Sequence, residues 1–332
     1  MYCSEECLSK AHQFHRYECA VVRDIRRICG NAEKEGMLAL QTVAKAIALF
    51  DQDLEAMMKH LNNGLDGSKV NAFVIDWRTA TPKDAYNTVH VLSTNQTLRS
   101  RKNLALQIYC ATIVHHLMLE RTELRAICVT NAEKSKLLFD LILHHWQIAQ
   151  VNDTSLCYTT IFEVGFDCTT SVCGIFPLIS MLNHSCVPNV MHFSLDDGRC
   201  AVVALSPIAA GEQLFNSYLL FADEQETSAR LTVLKEFYQF TCRCDACELA
   251  VDDDDAQPND EEEYFIRRIR CSKTNSKLVS ELTSYLNAAG RYFPPCKLSR
   301  SQVMLKSLLE FMYGALPVKR RTQKINERIS HT

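Results

Sequence analysis

Residues Tyr238-Gln239-Phe240-Thr241-Cys242-Arg243-Cys244-Asp245-Ala246-Cys247 put three thiols within six positions. That density suits zinc, but a tetrahedral structural site takes four ligands, so a remote residue must complete it. Cys186, in Asn183-His184-Ser185-Cys186-Val187-Pro188-Asn189, is the candidate. An ion shared by Cys186, Cys242, Cys244 and Cys247 would pin segments 56 positions apart. Its binding energy would then act as folding energy. The competing reading is three metal-free cysteines in a turn. A nucleophile pair of His184 with Cys186 would need a thiolate free of metal, which the zinc assignment excludes.

Outward from these motifs, residues 150 to 220 have the texture of strands and turns. Val190 to Ser194 and Cys200 to Leu205 flank Asp196-Asp197-Gly198-Arg199, the pattern of a β-hairpin. Ser206-Pro207 ends the second strand, and Ala210-Gly211-Glu212 makes a turn before an extended Gln213 to Tyr218. Glu224 to Phe240 begins as helix and runs into the cysteine cluster. Upstream, Arg101 to Glu120 carries Leu104, Ile108, Ala111 and His115 at helical spacing. Asn131 to Gln150 carries Leu137, Leu138, Leu141, Ile142 and Trp146, with Asn131 as its cap. The pairs His115-His116 and His144-His145 lie on these helices. Adjacent helical side chains diverge by about 100°, so neither pair chelates one ion, and both are read as core or helix-surface histidines.

Composition is that of an ordinary globular chain: 332 residues, 47% hydrophobic and 23% charged, enough for about two domains. Only 10 glycines favour a helix-rich fold. No apolar run approaches the roughly 20 residues needed to cross a bilayer. Met1-Tyr2-Cys3-Ser4-Glu5-Glu6 has no secretory character, so the expectation is an intracellular protein with reduced thiols. The net charge of −3 hides an acidic stretch, Asp252 to Glu263, with eight carboxylates, outside which the balance is +5. That stretch has the character of a solvated linker. No strongly basic face is evident, and no basic recognition helix follows the cysteines, which excludes a dedicated nucleic-acid binder. Of 16 cysteines, seven fall in metal-like clusters and nine, such as Cys29, Cys110 and Cys128, sit among apolar residues as small buried hydrophobes.

Three motifs succeed one another across 65 residues: Asn183 to Asn189, Gly211-Glu212-Gln213-Leu214 running to Tyr218, and Tyr238 to Cys247. Together they resemble the C-terminal half of a SET domain with its post-SET zinc cluster, in the order seen in the SET-and-MYND-domain family of protein lysine methyltransferases. Tyr2-Cys3-Ser4-Glu5-Glu6-Cys7 and His15-Arg16-Tyr17-Glu18-Cys19 are similar to the second half of a MYND zinc finger. In the family such pairs serve two zincs, each completed by an earlier Cys-x-x-Cys pair that is not in this sequence. Two outcomes are open: Cys3, Cys7, His15 and Cys19 collapse onto one ion, or the finger is incomplete. The family's Gly-rich, donor-cradling strand-turn is also not in the sequence, so the expectation is a fragment of a longer chain or a short form lacking part of its cofactor pocket.

The resemblance implies transfer of a methyl group from S-adenosylmethionine to a lysine amine. On that template Tyr218 is the catalytic tyrosine, and Asn183 and His184 contact the donor, with Asn152 adding a further contact. Tyr238 and Phe240 wall the substrate channel, and Gly174-Ile175-Phe176-Pro177 presents the Asn-His segment. Residue by residue the alternatives are structural: an edge aromatic at Tyr218, a turn histidine at His184, one buried strand face at Tyr238 and Phe240.

The expected fold class is α+β, a SET-type β core with a helical insert. In order it comprises a partial MYND zinc finger (1–19), the helical insert (20–150), the SET catalytic core (151–240) and the post-SET zinc cluster (241–250). An acidic linker (251–263) and a helical C-terminal region (264–332), with an apolar stripe of Val303, Leu305, Leu308, Leu309 and Met312, complete it. The expected partners are a protein with an accessible lysine and a proline-containing peptide, with no sequence-specific nucleic acid and no membrane, in cytoplasm and nucleus. The competing function is a catalytically inactive, zinc-organised binding scaffold.

Overall fold

The computed structural model describes residues 4–162, 165–195, 198–219, 226–248, 260–270, 276–289 and 298–313. The chain divides into two compact units. The first holds Met1–Thr154, Cys173–Met181 and Phe237–Gln239; the second holds Ser155–Val172, Leu182–Glu236 and Phe240–Thr332.

The first unit is helical: α1 (Glu5–Cys19), α2 (Val22–Ile28), α3 (Glu33–Leu49), α4 (Leu54–Asn62), α5 (Gly67–Val70), α6 (Pro82–His90), α7 (Arg101–Arg121), α8 (Leu124–Cys128) and α9 (Ala132–Asn152). Several of these helices begin where a short polar side chain satisfies an orphan backbone N–H. Asn131 accepts from the Lys134 amide at 3.0 Å and Ser100 from the Asn103 amide at 3.2 Å. Thr81 and Asp84 form a reciprocal capping box with Pro82 in the first turn of α6. Helix α3 packs on α1 and α9, and α7 on α9, around Leu40, Val43, Ile47, Val114, Leu138 and Ile142. Gly36 permits a close approach, since a Cβ there would lie 2.9 Å from the Trp146 ring.

Helices α7 and α9 occupy nearly the expected spans, but the buried face of α7 is rotated. Gln107, Cys110, Ala111, Val114 and Met118 face inward, whereas Ile108 is exposed. Of the expected stripe Ala111 is buried, Leu104 and His115 are half-buried and Ile108 is exposed, because hydrophobic residues lie all around this helix. Cys29, Cys110 and Cys128 are buried, and burial pushes the Cys29 thiol up to about 12. Cys173 and Cys200 are half-buried; nothing is described of the side chains of Cys157, Cys168, Cys271 and Cys296.

The sheets come next, each of two strands. Strands β1 (Asp153–Phe162) and β2 (Gly165–Ile175) pair, and α10 (Pro177–Ser180) precedes the Asn-His segment. In the second unit β3 (Asn183–His184) pairs in parallel with β6 (Phe215–Asn216). The expected hairpin is β4 (Val190–Ser194) with β5 (Cys200–Ala204), antiparallel, with Val190 opposite Ala204. The fold is thus mixed, rich in helix with small sheets.

Helix α11 (Thr227–Val233) passes into one π-helical turn, Leu234–Tyr238, and then Gln239 adopts a φ of 66°. That left-handed residue breaks the alternation a strand needs, so Tyr238 and Phe240 do not share a strand face. Helices α12 (Asp245–Glu248), α13 (Asp260–Arg270), α14 (Ser276–Ala289) and α15 (Ser299–Tyr313) complete the unit. Asp260–Glu263, read as the end of an acidic linker, instead form the first turn of α13, where carboxylates complement the helix dipole. Residues 249–259 lie outside the described residues. Leu282, Leu286, Leu305 and Leu308 of α14 and α15 share a core with Met191 and Phe193 of β4. Among the described residues no helix is long and apolar enough to cross a membrane.

Candidate functional site

The chain bends at Cys186-Val187, and Asn189 fixes the Gly-Glu turn downstream. Its Nδ2 donates to Glu212 Oε1 at 3.1 Å and to the Gln213 carbonyl at 2.9 Å, while its Oδ1 accepts from the Phe215 amide at 2.8 Å. One side chain therefore clamps that turn against the Asn-His-Ser-Cys segment. With the β3–β6 pairing and the Ser185 amide donating to the Asn216 carbonyl at 3.0 Å, this sets Tyr218 beside His184. The centroids of the two rings are 5.1 Å apart. Sequence reading assigned Asn189 no role; its place at the end of the motif was the available signal.

His184 is buried and both ring nitrogens are committed. Nδ1 accepts the Tyr218 backbone N–H at 2.9 Å, which leaves the proton on Nε2. Nε2 then donates to Cys186 Sγ at 3.3 Å. Burial, with Arg230 adding to it against an opposing effect of Cys244, holds the ring neutral, its pKa lowered to about 4. Arg230 is itself fully buried, with its guanidinium donating to Thr227 Oγ1 at 2.9 Å; no motif in the chain singled this residue out.

Around Cys186 gather Cys242, Cys244 and Cys247, their sulfurs all within 4.8 Å of one another. Cys186 and Cys247 are 3.6 Å apart. Tetrahedral Zn–S bonds of about 2.3 Å would give sulfur–sulfur edges of about 3.8 Å, so the donor set fits such an ion. The Cys244 carbonyl accepts the amides of Cys247 and Glu248, a tight turn that aims two thiols at one point. Sulfhydryl donation from Cys186 and Cys242 holds Cys244 far below the ordinary thiol range, and the same contacts push Cys186 up. A bound cation would favour deprotonation of the thiols that ligate it. This cluster could hold a metal ion and, among the described residues, it is the one such group of His, Cys, Asp or Glu side chains.

Tyr218 donates its hydroxyl proton to the Leu182 carbonyl at 2.7 Å, and burial raises its pKa to about 12. Phe240 stands edge-on to Tyr218, centroids 6.3 Å apart at 84°, and 5.9 Å from the His184 ring. A cavity of about 800 Å³ opens beside His184, Phe240 and the cysteine turn, with Glu212, Arg243 and Asp245 among its lining residues.

A family profile described as SET domain matches residues 2–219. The chain belongs to the SET domain family. Its relatives place it in the SET-and-MYND branch. It is 24% identical over 309 residues to "Histone-lysine N-methyltransferase ASHR1" of Arabidopsis thaliana, covering 92% of this chain and 53% of that protein. It is 38% identical over 92 residues to "Protein-lysine N-trimethyltransferase SMYD5" of Gallus gallus, 27% of this chain and 22% of the relative. To "Protein-lysine N-methyltransferase SMYD4" of Homo sapiens it is 26% identical over 291 residues, 74% of this chain and 36% of the relative. The chain spans about half the length of the first of these and less of the others.

The remaining expected SET-domain site residues are spread over both units. Asn183 is exposed on β3, next to the buried His184. Asn152 ends α9 in the first unit, and its amide donates to the Ser93 carbonyl at 2.8 Å and the Ile148 carbonyl at 2.9 Å. Tyr238 also belongs to the first unit, and its carbonyl accepts from Asn95 Nδ2 at 2.9 Å. Cys7, His15 and Cys19 lie along one helix, α1, and Cys3 lies outside the described residues. Twelve residues of helix separate Cys7 from Cys19, about 18 Å at 1.5 Å per residue. A single ion shared by all four is therefore ruled out. His15 Nδ1 sits 3.3 Å from Glu18 Oε2, and one helical turn separates His15 from Cys19.

Proposed function

We propose that this SET domain protein transfers a methyl group from S-adenosylmethionine to the side-chain amine of a lysine in a protein substrate. The observation that carries the reading is the packing of Tyr218 and Phe240 against His184, with His184 in turn hydrogen-bonded to Cys186 of the four-thiol cluster. Zinc is the ion we assign to that cluster, where it would fix Phe240 and Thr241 against the Asn-His segment. The donor, when bound, supplies an electrophilic sulfonium methyl.

A lysine amine has an unperturbed pKa of about 10.4 and must lose a proton before it can attack. Burial beside aromatic rings favours the neutral amine. A phenol that spends its proton on Leu182 can meet that amine only as an acceptor, so Tyr218 would orient it through an N–H···O bond. Phe240 would line the path. His184 has no ring nitrogen left for a ligand, so its contribution to the donor would come through its backbone; the exposed Asn183 can use side chain and backbone alike. Asn152 and Tyr238 stay candidates for the donor and the channel, and Cys3 with Cys7 and His15 with Cys19 stay candidates as half-sites of two separate MYND-type zincs. A proline-containing peptide is the proposed further partner, and cytoplasm and nucleus, where thiols stay reduced, the proposed compartments.

The test is incorporation of labelled methyl groups into a lysine-rich protein mixture by the zinc-loaded chain. Tyr218→Phe should lose roughly a hundredfold in rate, the scale of a misplaced reacting group, while keeping its zinc. Equal incorporation by parent and variant would remove Tyr218 from the chemistry. A zinc-loaded protein that neither binds the donor nor transfers methyl would instead be the scaffold.

A further inference from the structure

The first unit buries three polar atoms that the methyl-transfer reading does not use. Tyr86 and His90 stand one turn apart on α6, and His145 projects from α9. Tyr86 Oη lies 3.2 Å from His145 Nε2 and 3.4 Å from His90 Nδ1, and the two nitrogens are 3.5 Å apart. As a hydrogen-bonded group this triangle is poor. The single hydroxyl hydrogen serves one edge, at best the 3.2 Å contact to His145, and the 3.4 and 3.5 Å edges are long for hydrogen bonds. His145 is fully buried and its Nδ1 has no partner among the described residues, so packing and these contacts direct Nε2 into the triangle.

The dimensions suit a different purpose. Bonds of about 2.0–2.1 Å from nitrogen or oxygen to a tetrahedral zinc give ligand–ligand edges of about 3.3–3.4 Å. We propose that Tyr86 Oη, His90 Nδ1 and His145 Nε2 form a three-ligand site for a divalent transition ion, with zinc the best match in size and geometry. Adjacent residues His144 and His145 cannot share one ion; partners from separate helices can. His144 serves as support, its Nε2 bonded to the His90 carbonyl at 2.9 Å and its ring 4.4 Å from that of His90.

Metal binding takes both imidazoles in their neutral form, with the ring nitrogen that faces the triangle as the donor. Burial alone raises the Tyr86 phenol. A bound cation reverses that preference, so the phenolic O–H bond breaks, an O–metal bond forms and the proton leaves to solvent. One phenolate against a divalent ion leaves a single positive charge. The fourth position therefore suits hydroxide or another small anion, admitted past His90, which is not fully buried. The ion would staple α6 to α9 independently of the thiol cluster.

The measurement is zinc content of the full chain after dialysis against free zinc, in the parent, Tyr86→Phe and His90→Gln. Tyr86→Phe keeps the buried ring, and the half-buried His90 tolerates an amide, so melting in metal-free buffer controls for folding. Each folded variant should hold one zinc equivalent fewer than the parent, and zinc should raise the parent's melting temperature more than theirs. Equal zinc content in the parent and either folded variant overturns the site.

Discussion

In the first unit, helices distant in sequence meet through apolar side chains such as Val43, Ile47, Val114 and Ile142, none with exposed surface. In the second, the segments 183–189, 212–218 and 240–247 meet through side-chain-to-backbone bonds from Asn189 and His184 and through four sulfurs. Burial is distributed and tolerates the loss of one contact among many. A four-thiol cluster concentrates the same task at one point, where one lost ligand undoes the whole. Asn183, His184, Tyr218 and Phe240, four of the residues proposed for methyl transfer, sit in the unit held the second way, which makes metal occupancy the condition of their geometry.

Removing one thiol is the hardest blow to that contrast. Cys242→Ser should abolish zinc at the cluster, an interaction worth roughly 10–16 kcal/mol in small zinc peptides. Zinc analysis and limited proteolysis would read it. New cleavage is expected between residues 182 and 248, while α3, α7 and α9 stay protected. Unchanged protection around Phe240 in a zinc-free variant would show that hydrogen bonds alone hold the segment.

The complementary change, Gly36→Val, attacks the first unit. An ideal Cβ already meets the Trp146 ring at 2.9 Å and Ile25 Cγ2 at 3.2 Å, so added methyls must displace a buried indole. Overpacking of this kind costs about 1–3 kcal/mol, readable by denaturant unfolding, with the zinc content of the thiol cluster unaffected. If the variant unfolds at the same denaturant concentration, α3 and α9 are less tightly packed than described.

The two units were also unequally legible in the sequence. Helical periodicity and the Asn131 cap gave α9 almost to the residue, and alternation around Asp196-Asp197-Gly198-Arg199 gave the hairpin. Period alone did not select the face of α7, because Ile108 and Tyr109 are as apolar as the residues that turn inward. The thiol cluster was legible because zinc chemistry demands a count of ligands, and the count pointed to Cys186. Nothing comparable announces the tautomer of His184, the left-handed Gln239 that ends the Tyr238 turn, or the meeting of His90 with His145, since each depends on where a backbone lies after packing. Asp260–Glu263 carry no mark of α13 in the sequence, because four carboxylates at a helix N-terminus and four in a linker share one composition.

The smallest expected effect lies at the start of α6, the helix that carries Tyr86 and His90. Hydrogen bonds from the Thr81 hydroxyl and amide hold the Asp84 carboxyl below its usual range. A depressed folded-state pKa contributes stability that is present above the unfolded value, about 3.9, and lost as pH falls through the folded one. Asp84→Asn can still accept the Thr81 bonds but carries no charge toward the helix dipole. The carboxylate is almost fully exposed, so solvent screening leaves the difference at a few tenths of a kcal/mol. The parent should exceed Asp84→Asn by that margin near pH 7, and the two unfolding curves should converge below about pH 4. A gap that persists at low pH would assign the cap to hydrogen-bond geometry, not charge, and remove the electrostatic part of what orders α6.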